Sequence, residues 1–118
     1  MNLASFKDLF LRGGFRLTES RLSDEPIFDA LGREATAQTR ICGREFFLLL
    51  RADLGTRELS ISLYHEILEA ATVGAALAPQ AVMEFNEGDF ERVAQSMHEL
   101  LGPASPESVN RMLALYGF

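Results

Sequence analysis

The apolar positions along the chain change period several times, and each change marks an element. Leu3, Phe6, Leu9 and Phe10 fall near one side of a short helix over residues 3–12, which Gly13-Gly14 ends. From Phe15 to Leu22 apolar and polar residues roughly alternate, the signature of an edge strand, and Ser23 to Pro26 reads as a turn. Residues 27–34 fit neither period. Residues 35–42, with Thr36, Thr39 and Ile41, read as extended, and a second β-prone run from Glu45 to Arg51 follows Gly43-Arg44. Two such runs around a short glycine turn predict a hairpin. Phe46 to Leu50 is apolar throughout, which predicts a central strand covered on both faces.

Beyond a loop at Ala52–Thr56, where Asp53 or Thr56 offers an N-cap, the pattern turns helical. Leu59, Ile61 and Leu63 alternate as in a strand, but Leu59, Leu63, Ile67 and Ala70 also recur at helical spacing. The length of the run and the helix formers between His65 and Ala71 select a helix through about Val73, ended by Gly74. Ala75 to Ala81 is a connection. Asn86 or Gly88 opens another helix, striped by Phe90, Val93, Ala94, Met97 and Leu101 and stopped by Gly102-Pro103. Ser105-Pro106-Glu107 starts the last one, with Val109, Met112, Leu113 and Tyr116 as its buried face and Gly117 as its end. The expected fold is α+β: an N-terminal helix, a small antiparallel sheet of two or three strands, then three helices, all in one domain spanning 1–118.

Composition narrows the function classes. The 118 residues carry 17 acidic and 11 basic side chains, a formal net charge of −6. Nucleic-acid binding needs a concentrated positive surface, and docking to an anionic membrane needs the same, so both are disfavoured. No apolar run reaches the length of a membrane span, and residues 1–14 lack the pattern of a secretion signal. Cys42 is the single cysteine, which excludes an intramolecular disulfide and a cysteine-based zinc cluster and fits a reducing, cytoplasmic setting. In a predicted strand, Cys42 is expected to be a small buried residue rather than a nucleophile.

The chemically suggestive segment is His65-Glu66-Ile67-Leu68-Glu69. On a helix His65 and Glu69 lie one turn apart on one face and can reach a common ion, and imidazole and carboxylate are both zinc ligands. The stretch from His65 to Thr72 resembles the active helix of zincin-like metallopeptidases, and is similar to an HExxE variant in which Glu-Ala and then Thr follow the first His-Glu. The resemblance implies a zinc hydrolase of peptide or amide bonds, with His65 and Glu69 as metal ligands and Glu66 as the general base that takes a proton from activated water. The segment departs from the variant where Val73-Gly74 replace Asp-Pro, and Glu69 stands where the commoner form has a second histidine. For a third ligand the next helix offers His98 first and Glu91 second, seven residues apart and on one side, with Glu87 at the same edge.

The same residues admit a plainer reading. Glu58, Ser62, His65, Glu69 and Thr72 form one polar stripe, which suits the solvated face of an amphipathic helix. The chain is then a non-catalytic interaction or regulatory module whose apolar helices offer a face to a protein or peptide partner or to a second copy in a homodimer. Tyr64 is assigned to the core.

Overall fold

In a computed structural model of the chain, the described residues are 16–28, 31–74 and 87–115, with side chains described over 16–28, 31–70 and 88–115. The expected helix over 3–12, the connection after Gly74, the Asn86 cap and the Tyr116-Gly117 end lie outside them. Among the described residues five strands precede three helices: β1 (Arg16–Ser23), β2 (Ile27–Phe28), β3 (Glu34–Ala35), β4 (Ala37–Cys42), β5 (Glu45–Arg51), α1 (Thr56–Gly74), α2 (Glu87–Leu101) and α3 (Val109–Leu115). This is the α+β order the pattern predicts.

The hairpin between β4 and β5 forms as expected, with Cys42 opposite Glu45 across Gly43-Arg44. Gly43 takes φ 63° at the first turn position while Arg44 keeps a negative φ, the type II′ arrangement that matches strand twist. The segment 27–34, which fitted no period, contributes β2 and the first residue of β3, which pair as a minimal two-stranded antiparallel sheet.

The main sheet corrects one expectation. Its order is β1-β5-β4, and β1 runs parallel to β5, so the sheet is mixed rather than antiparallel. Residues 24–44, including all of β2 to β4, lie between β1 and β5 and supply the long crossover that a parallel pair needs. β5 is central, as predicted, and its two faces differ in burial. Phe46, Leu48 and Leu50 are buried against the helices, whereas Phe47 and Leu49 on the outer face are half-buried. There the Arg40 guanidinium lies 4.7 Å over the Phe47 ring.

Cys42 is a second correction: it is exposed. Along β4 the inward positions are Ala37, Thr39 and Ile41, and strand alternation sends Gln38, Arg40 and Cys42 outward.

α1 lies between the sheet and α2. Leu63, Tyr64, Ile67 and Leu68 are fully buried in one core with Leu17, Phe46, Leu48 and Leu50 from the strands and Val93, Ala94, Met97, Val109 and Leu113 from the later helices. The first backbone bond of α1 runs from Leu59 N to Gly55 O, which puts the N-cap at Gly55. Asp53 does not cap, because the Arg51 guanidinium takes both its oxygens at 2.5 and 2.9 Å and holds its carboxyl below the usual range. α2 stops at Gly102, whose φ of 90° is left-handed backbone that glycine adopts without strain. Ser105 opens a turn, its carbonyl accepting from Ser108 N and Val109 N, and the last helix is formed from Val109, three residues beyond the start expected at Pro106. Asn110 in α3 then donates to the Leu17 carbonyl at 2.5 Å, tying the last helix to β1. Among the described residues no helix is long and apolar enough to cross a membrane.

Candidate metal centre

The middle of the polar stripe of α1, His65 with Glu69, lies in the crease between α1, α2 and β4, while Glu58 at its start is exposed. The His65 side chain is only 13% exposed. Its environment follows from helix geometry. With Ile67 and Leu68 pointing into the core, the residues flanking them, His65, Glu66 and Glu69, fall at the boundary of the buried face.

His65 Nε2 lies 3.2 Å from Glu69 Oε2, one turn on. On the other edge of the ring, Nδ1 lies 3.0 Å from Glu91 Oε2 of α2. Phe90, the residue before Glu91, is buried and stacks its ring obliquely against the imidazole, centroids 5.9 Å apart. Consecutive residues of α2 therefore hold the imidazole by an apolar contact and a carboxylate. Glu66 leans toward the sheet, where Thr39 Oγ1 of β4 donates to its Oε2 at 2.5 Å.

His65, Glu66 and Glu69 each place one ligand atom within 4.8 Å of the others. One nitrogen and two carboxylate oxygens match the donor chemistry of zinc, and two ligands of a tetrahedral zinc at ordinary bond lengths stand about 3.3 Å apart. The 3.2 Å between Nε2 and Glu69 Oε2 fits that separation.

The expected third ligand is placed elsewhere. His98 Nδ1 lies 2.7 Å from Ser60 Oγ, and Ser60 Oγ also accepts from Ala104 N at 2.8 Å. Glu91 and His98 do share one side of α2, as their spacing predicts, but seven residues of helix separate them by about 10 Å along the axis. Only the nearer turn meets His65. Glu87 has no described side chain. The structure thus brings together His65, Glu66, Glu69 and Glu91 and leaves His98 in a separate pair. Thr39 and Phe90 were not singled out for this role in the sequence. The inward position of Thr39 in a predicted strand was the available signal for the first, and its place beside Glu91 in the helical stripe for the second.

The Ser60 pair holds the C-terminal end of α2 against the start of α1. Ser60 is fully buried, and losing its hydroxyl strands the Ala104 N–H. Ser60→Ala is expected to lower stability by about 1–3 kcal/mol, the cost of an unsatisfied buried donor, while leaving zinc binding unchanged. Denaturant unfolding checks this, and an unchanged midpoint would show that the bond carries no weight. Tyr64 is in the core, as expected. Its hydroxyl donates to Gly102 O at 3.1 Å, and burial pushes its pKa up to about 12, so it remains a neutral donor in that tie.

No family model, no curated protein and no solved structure matches the chain, so the functional reading rests on this geometry.

Proposed function

We propose that the chain is a zincin-like zinc hydrolase of peptide or amide bonds. The observation that carries the reading is the convergence of His65, Glu66 and Glu69 within 4.8 Å at a partly buried helical edge. His65 Nε2 and Glu69 would hold the ion. Zinc bound there would polarise water and a carbonyl, lowering the pKa of the nucleophile toward neutrality. Glu66, one residue beyond the first ligand, is the proton acceptor. Its Oε2 accepts the Thr39 bond, which fixes the carboxylate between β4 and the centre. Phe90 against the His65 ring and Thr39 of β4 against Glu66 border the site.

A second reading has its own support. Each member of the cluster already makes a polar contact within the chain, and such a network stabilises a helix–sheet crease with no metal. The chain would then be a non-catalytic partner-binding module.

Metal analysis separates the two. Protein purified without an affinity tag and equilibrated with zinc near neutral pH should retain one equivalent, and His65→Ala should retain none. Wild-type protein that retains no zinc would sink the hydrolase reading in favour of the interaction module.

A further inference from the structure

The geometry points to Glu91 as a positioning residue that selects which nitrogen of His65 faces the ion. The inference rests on the zinc reading of the centre. An imidazole has two nitrogens whose lone pairs diverge, so one ion cannot use both. In this chain each nitrogen has its own carboxylate. Glu69, on the same helix, stands at Nε2, and Glu91, on the neighbouring helix, stands at Nδ1. A neutral ring carries one N–H and one lone pair. With Glu91 accepting the Nδ1 proton, the lone pair lies at Nε2, on the side where Glu69 waits. Glu91 therefore acts through His65 and is not itself a ligand of an ion bound there with Glu69. A carboxylate on the distal nitrogen also fixes the ring and raises its donor strength.

Two further observations separate this role from packing. The Glu91 side chain is 47% exposed, so its removal leaves no buried hole. Phe90, the residue that buries against the ring, is a different side chain and stays in place in a Glu91 variant.

The test compares wild type, Glu91→Ala and Glu91→Gln by chelator competition for zinc, by X-ray absorption at the zinc edge, and by long-range 1H–15N correlation of the two histidines with and without zinc. His98 serves as the internal control. Glu91→Ala should bind zinc about 10–100-fold more weakly, the usual effect of losing such a partner, with the number of zinc ligands unchanged. Glu91→Gln keeps an acceptor for Nδ1–H and should fall between. The wild-type spectrum should show the His65 proton on Nδ1, and in Glu91→Ala that signal should be lost to exchange. Equal affinity in Glu91→Ala and wild type overturns the inference while the zinc centre stands. Loss of one oxygen ligand in Glu91→Ala also overturns it, since Glu91 would then be a ligand. Failure of wild type to take zinc at all removes the centre itself, an outcome read separately in the wild-type arm.

Discussion

Glu66→Gln is expected to keep one equivalent of zinc and to lose roughly 10²–10⁴ of the hydrolytic rate, the usual contribution of a positioned general base. Glutamine has the shape of glutamate and still accepts the bond from Thr39 Oγ1, so the side chain stays where β4 holds it. What it loses is the ability to take a proton. The experiment is a digest of a denatured-protein substrate, with new amino termini counted by labelling and zinc measured in the same samples. The split between the two readouts decides the role. Rate lost with zinc retained marks a base. Rate and zinc lost together mark Glu66 as a third ligand, which its place within 4.8 Å of His65 and Glu69 also permits. Neither changed marks a bystander. Thr39→Val offers a weaker form of the same test, because it removes the hydroxyl bond to the carboxylate without neutralising it.

How much of this centre the sequence reveals follows from how local each relation is. His65 and Glu69 are four residues apart, and any helix brings them together, so their pairing needs no knowledge of the fold. The hairpin at Gly43-Arg44 is equally local, as are the stop at Gly102 and the turn at Ser105. The choice between Glu91 and His98 is different. It depends on how far α2 is displaced along α1, which no periodicity contains. The two observed pairs, His65 with Glu91 and Ser60 with His98, show the helices running antiparallel: five residues back along α1 correspond to seven forward along α2. The parallel pairing of β1 with β5 is nonlocal in the same way, since the strand pattern of residues 16–23 would serve either direction. Cys42 is another matter. Strand alternation places it opposite in sense to Ile41, so its exposure was legible, and composition-based expectation for cysteine outweighed it.

The other large effect expected is on stability, and it comes from two adjacent phenylalanines. Phe46→Ala should destabilise the fold by about 3–5 kcal/mol, whereas Phe47→Ala should cost about 1 kcal/mol. Phe46 is fully buried on the inner face of the central strand, in the core that also holds Leu63, Ile67 and Leu68 of α1. Its truncation removes a ring from water-free surroundings and leaves a cavity bounded by sheet and helix. Phe47 points to the outer face, half-buried, and its described ring contact is the guanidinium of Arg40. Small domains have only about 5–15 kcal/mol of net stability, so the first variant should be close to unfolding at physiological temperature and the second should not. The consequence reaches the metal centre, because Ile67 and Leu68 are buried between the very residues, His65, Glu66 and Glu69, whose positions the core dictates. Zinc affinity in Phe46→Ala should therefore fall in step with the folded fraction and recover on cooling, while Phe47→Ala should match wild type. Equal destabilisation by the two changes would mean that the sheet's inner and outer faces are assigned wrongly, and with them the placement of Thr39 beside Glu66.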